Sequence, residues 1–196
     1  MTTPFLQEYV PAPISLRECL RYMGEKGENE PTLALLRECI KEAEGAFTYR
    51  ALLYELPATL TDGGVLLGDV AVESRNLAKL LSGCNTAFLL CATVGIGIDR
   101  LIARYSATSP AKALCFQAIG AERIEALCDA ASAALSDLWE LTPRYSPGYG
   151  DLPLTFQKEI FLLTNCTKYL GMTLNTSLLM SPSKSVTAVM GAKKRR

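Results

Sequence analysis

The chain of 196 residues contains no histidine, and that absence removes more chemistry than any other feature of its composition. Histidine is the commonest metal ligand and the usual general base near neutral pH, so Ser-His and Cys-His hydrolases and the usual zinc hydrolases are excluded. Net charge is missing as well. Twenty basic residues balance twenty acidic ones, which argues against a surface built to coat nucleic acid or an anionic membrane. No apolar run reaches the 18 or so residues that span a bilayer, and residues 1–10 have neither a basic start nor an apolar stretch of signal-peptide type. A cytoplasmic protein is the expectation.

Cysteine is plentiful yet unpatterned. The seven residues Cys19, Cys39, Cys84, Cys91, Cys115, Cys128 and Cys166 are odd in number and never form C-x-x-C. Sitting mostly inside apolar stretches, they read as buried thiols in a reducing compartment, not as a disulfide framework or metal site. With 49% hydrophobic and 20% charged residues the composition is that of a globular protein. A chain of this size buries roughly 70% of its unfolded surface, and one domain spanning 1–196 is expected. The Lys193-Lys194-Arg195-Arg196 ending reads as a solvated terminus, so 192–196 are expected to be disordered.

The N-terminal portion, about 1–46, reads as helical. Ser15 caps a helix carrying Leu16, Leu20 and Met23 and stopping at Gly24, and Pro31 lies near the start of a second helix ending at Gly45. A strand follows within 47–60, then two very short strands over 65–72, and a helix capped by Ser74. The unbroken apolar run from Thr86 to Val94 has the pattern of a central strand buried on both faces. One long helical stretch is expected from about Ser109 to Leu141, then a stiff loop over 142–152 with two prolines and two glycines. Another helix is expected from Pro153 to Gly171, with two short strands closing the chain between Leu174 and Gly191.

Three features could carry chemistry. Gly95-x-Gly97 between a strand and a helix could hold an anion, but the third glycine of a dinucleotide fingerprint is absent, and tight packing explains the pair better. Glu122, Glu125 and Asp129 share one side of the long helix and are either a solvated face or a carboxylate cluster for acid–base work or an ammonium group. The loop Arg144-Tyr145-Ser146-Pro147-Gly148-Tyr149 places a guanidinium, whose fork matches a carboxylate, on a rigid turn with two tyrosines.

At this loop the sequence resembles the reactivation domain of cobalamin-dependent methionine synthase, whose loop reads Arg-x-x-Pro-Gly-Tyr with a proline four residues later. Arg144, Pro147, Gly148, Tyr149 and Pro153 hold those places. A second block follows in the same order: Gly171-Met172-x-Leu174, Ser177, Met180, Pro182 and Ser185-Val186. Together the blocks cover roughly the last third of the chain, and upstream only the order of elements is similar.

The resemblance implies an α+β fold, a twisted antiparallel sheet with flanking helices, and S-adenosylmethionine lying along the sheet edge. It implies ligand contacts from Arg144, Pro147, Gly148 and Tyr149, with Tyr149 facing a corrin as its catalytic contribution. Glu125, or failing it Glu122, would supply the acidic partner. The family's N-terminal acidic contact has no counterpart here, nor does its further helical segment. The implied function is reductive remethylation of cobalamin carried by a corrinoid-binding protein or methionine synthase, within methionine biosynthesis, with a flavodoxin-like electron donor. The chain would be a free-standing reactivation subunit that positions rather than attacks. The alternatives are a scaffold module for a corrinoid protein without S-adenosylmethionine binding, and a methyltransferase acting on another acceptor.

Overall fold

The computed structural model describes residues 5–25, 27 and 29–195. The chain runs β1 (Phe5–Glu8), α1 (Leu16–Met23), α2 (Glu30–Glu42), β2 (Arg50–Thr61), β3 (Gly64–Leu67), β4 (Val70–Val72), α3 (Arg75–Leu80), β5 (Thr86–Thr93) and α4 (Gly97–Tyr105). It continues through α5 (Pro110–Ala133), β6 (Trp139–Leu141), a 3-10 turn (Leu154–Phe156), α6 (Gln157–Thr164), α7 (Cys166–Leu170), β7 (Thr173–Leu174), β8 (Met180–Ser181) and β9 (Ser185–Lys194). Among the described residues the main sheet is seven-stranded and antiparallel, in the order β4-β3-β2-β5-β9-β6 with β1 also on β2. The hairpin β7-β8 stands apart.

Helices cover both faces of this sheet. Phe88, Leu90, Ala92 and Val94 of the β5 region join the core under α1, α2, α4 and α5, while Ala87, Leu89 and Cys91 join the core under α3, α6 and α7. Successive side chains of a strand point to opposite faces, so a strand buried on both is apolar along its middle, as Ala87 to Ala92 is. The N-caps follow their side chains: Ser15, Asn29 and Ser74 accept from the backbone N–H groups of Glu18, Thr32 and Leu77. Gly95 and Gly97 mark close packing. A Cβ on Gly97 would collide with the Ala46 carbonyl oxygen and one on Gly95 with the Thr48 hydroxyl.

Several expectations are corrected. The helix expected to reach Leu141 ends at Ala133, because the chain must turn to deliver Trp139–Leu141 as a strand against Ala192–Lys194. The N-terminal portion is not wholly helical, since Phe5–Glu8 pairs with β2. Residues 192–194 are not a frayed tail: they end β9 in register with β6, and the Arg195 N–H donates to the Leu138 carbonyl at 2.9 Å. Arg196 lies outside the described residues. The helix expected over 153–171 is broken at Asn165, which adopts φ 51° between α6 and α7. The closing segment is a two-residue hairpin pair followed by a ten-residue strand that sits beside β5. No described helix is long and apolar enough to cross a membrane.

The seven cysteines are buried free thiols, and burial pushes those of Cys19, Cys39 and Cys128 up to about 12. Thiolate is the reactive form. A disulfide-exchange reagent at pH 8 is therefore expected to react with the folded protein far more slowly than with the seven thiols released in denaturant. Rapid modification of Cys19, Cys39 or Cys128 in the native state would contradict this burial. For the packing at the strand-to-helix junction, Gly97→Ala is expected to destabilise by about 1–3 kcal/mol, the cost of overpacking, read as a lower denaturant midpoint at unchanged slope.

Candidate functional site

The loop over 142–153 is pinned at three places. Thr142 exchanges hydrogen bonds with Gly191, its N–H reaching the Gly191 carbonyl at 2.9 Å and its hydroxyl accepting from the Gly191 N–H at 2.8 Å. Tyr145 and Val189 then exchange both backbone hydrogen bonds, each at 2.9 Å. Beyond Tyr145 the loop leaves the sheet and closes on itself, with Gly148 N–H on the Leu152 carbonyl at 2.8 Å and Leu152 N–H on the Tyr149 carbonyl at 3.0 Å. Gly148 permits this turn at φ 90°. Asp151 provides the third anchor: it accepts from the Ser74 hydroxyl and from the Arg75 and Asn76 N–H groups at the start of α3. The Ser74 hydroxyl, followed by these N–H groups, holds the Asp151 carboxyl below its ordinary value. A depressed native value means that this anchor contributes fully above the ordinary carboxylate value and is lost as pH falls below it and through the depressed native value.

These anchors leave a cavity of about 650 Å³ between the loop, α5, the start of α6 and the start of β9. Its polar mouth is built on Arg144. Nη1 donates to Asp129 Oδ1 at 2.7 Å and Nη2 to Glu125 Oε2 at 2.8 Å, so one guanidinium joins the loop to two turns of α5. Burial opposes its charge, but the Asp129 hydrogen bond and the surrounding anionic groups outweigh that, and Arg144 titrates above its ordinary value. Pro147, Tyr149, Met180 and Ser185 also line the cavity. Tyr149 is 68% exposed and so is not a packing residue beneath the sheet.

The structure brings Arg144, Pro147, Tyr149 and Glu125 onto one cavity, while Gly148 shapes the turn without lining it. Glu122 lies elsewhere. Its carboxylate takes two N–H groups of Arg123 and the Ser15 N–H, in a buried cluster that also holds the Ala12 carbonyl. Glu122 borders a neighbouring groove of about 610 Å³ between α1 and α5, with Glu125 on the wall common to both spaces. The acidic trio on α5 is therefore neither a uniformly solvated face nor one cluster, because Glu122 turns into the core while Glu125 and Asp129 meet Arg144. Gln157 and Thr187 also line the cavity, and nothing in the residue pattern marks either. Neither stands in a motif, and only their burial singles them out.

No protein-family model and no curated protein sequence matches the chain. Among solved structures it is similar to a crystal structure of the MetH reactivation domain bound to AdoHcy, with a TM-score of 0.65 at 16% identity, over 95% of this chain and 78% of that one. Similarity across nearly the whole chain at so low an identity is a similarity of fold. The α+β architecture, an antiparallel sheet with helices on both faces, is accordingly that of a methionine synthase reactivation domain.

Proposed function

We propose that the chain binds S-adenosylmethionine in the cavity at Arg144 and supports reductive remethylation of a corrinoid carried by a partner protein. The observation that carries this reading is the Arg144–Glu125 pair at the mouth of a cavity of ligand size, beside the Pro147-Gly148-Tyr149 turn. The amino-acid end of the ligand is a zwitterion and needs one cation and one anion. Arg144 can release Asp129, whose side chain is 72% exposed, and turn the freed N–H groups to the ligand carboxylate, while Glu125 takes the ammonium. Asp129 gives up little, because an exposed ion pair is weak and water replaces the lost partner. Carbonyl oxygens of the loop and the Tyr149 ring offer the sulfonium a favourable surface. A fold shared with the AdoHcy-bound reactivation domain supports the same assignment.

A reduced corrinoid on the partner would supply the methyl acceptor, with the electron coming from a flavodoxin-like donor. This chain's own contribution is to hold the sulfonium methyl at the cavity mouth and to present the exposed Tyr149 toward the acceptor. The second reading, a scaffold without S-adenosylmethionine binding, draws on one observation: both guanidinium nitrogens that reach the mouth are already bonded to carboxylates. Calorimetric titration with S-adenosylmethionine separates the two, and absence of binding leaves the scaffold.

Arg144→Ala is expected to weaken S-adenosylmethionine binding by about 1.5–3 kcal/mol, one charge-assisted contact, which is roughly ten- to hundredfold in Kd. Arg144→Lys should recover only part of this, since a point charge lacks the fork. Equal Kd values for wild type and Arg144→Ala would remove Arg144 from the site. Tyr149→Phe is expected to leave S-adenosylmethionine affinity unchanged while altering the rate at which a cobalt(II) corrinoid protein is remethylated, because only the exposed hydroxyl is lost. A phenylalanine variant silent in both assays would end the corrin-facing role.

A further inference from the structure

Among the described residues, four side-chain polar atoms are buried with no hydrogen-bond partner: Arg50 Nε, Asp99 Oδ2, Gln157 Oε1 and Thr187 Oγ1. The first two belong to groups that bond through another atom, since Arg50 Nη2 donates to the Leu170 carbonyl and Asp99 Oδ1 accepts from the Ser183 N–H. Gln157 and Thr187 differ. They are 6% and 2% exposed, their side chains make no hydrogen bond, and both line the cavity at Arg144. They come from separate elements, the first residue of α6 and the third of β9. The Ser185 hydroxyl on the same cavity is satisfied, donating to the Pro182 carbonyl and pairing with the Thr93 hydroxyl. A buried polar group without a partner bears its full desolvation penalty, so two lining one cavity are unexpected unless a ligand completes them.

We infer that Gln157 and Thr187, which line the cavity from α6 and β9, form a hydrogen-bonding subsite for the adenine base of the ligand, separate from the Arg144 contact with the amino-acid end. This rests on the S-adenosylmethionine reading and adds which residues hold the nucleoside. A carboxamide offers an acceptor and a donor side by side, the complement of an adenine edge with its amino group beside a ring nitrogen. The Thr187 hydroxyl both donates and accepts, so it can serve a second ring nitrogen or a ribose hydroxyl. Polar atoms left unpaired in the free protein also give selectivity, because a ligand unable to bond them leaves the penalty standing.

The test compares S-adenosylmethionine with 5′-methylthioadenosine, which has the nucleoside but no amino-acid end. Titrations use wild type, Gln157→Leu, Thr187→Val and Arg144→Ala, with unfolding midpoints measured beside them. Gln157→Leu and Thr187→Val are expected to weaken both ligands by a similar factor, about tenfold for the first, whereas Arg144→Ala weakens S-adenosylmethionine alone. Thr187→Val keeps the shape and removes an unpaired group, so its midpoint should equal or exceed that of wild type while its affinity falls. Thr187→Ser should restore affinity. Unchanged affinity in both variants, a loss on S-adenosylmethionine only, or no wild-type binding of 5′-methylthioadenosine by a protein that binds S-adenosylmethionine would each overturn the subsite. Failure of wild type to bind S-adenosylmethionine marks failure of the underlying reading instead.

Discussion

The backbone exchange between Tyr145 and Val189 decides where the sheet ends and where the site begins. Outward-facing N–H and C=O groups alternate along β9, and Thr142 with Tyr145 takes up those of Gly191 and Val189. The next outward positions, Thr187 and Ser185, lie past the point where Pro147 forces the loop away, and there the cavity opens. A strand edge must be paired, covered or put to use. Here one edge is treated in all three ways along ten residues of β9: paired by β6, covered by the loop, and open to the cavity.

That arrangement holds only if the loop cannot drift, and its anchors are spread over three elements for this reason. Arg144 reaches α5, Tyr145 reaches β9, and Asp151 caps α3, so the turn from Ser146 to Gly150 is suspended between fixed ends. The spacing leaves no slack: a Cβ on Gly150 would strike the Tyr145 hydroxyl. Binding residues on such a loop gain the precision of the scaffold while their side chains stay accessible. Arg144 suits the mouth for another reason. It is paired with two carboxylates of unequal exposure, and the proposed binding mode exchanges the more exposed one for the ligand without leaving the guanidinium an unpaired buried charge.

The buried Glu122–Arg123 cluster does different work on the same helix. It fastens the Ala12–Ser15 segment to the middle of α5, so the position of α1 and the groove beside the cavity depend on a pair that takes no part in the mouth. Adjacent carboxylates on one helix thus have separate duties, and the separation comes from rotation about the helix axis: residues three apart are offset by about 60°, enough to turn one inward.

Much of this was legible in the residues themselves. The two-sided apolar run of β5, the caps at Ser15 and Ser74, the stiff loop and the Arg144 to Tyr149 motif are local or periodic signals, and local chemistry sets them whatever the rest of the chain does. The C-terminal basic residues looked like a free end because charge is a local property, whereas pairing of Lys193 and Lys194 with β6 depends on a partner more than fifty residues away. The same reason hid the end of α5, where good helix formers give way to a strand the sheet requires. The sequence by itself determined the locally encoded parts, the β5 run, the helix starts at Ser15 and Ser74 and the loop that carries the guanidinium. Only the tertiary structure decided which carboxylate meets Arg144, and that Gln157 and Thr187 stand unpartnered around one cavity, because burial and convergence are properties of the packed chain and leave no trace in residue spacing.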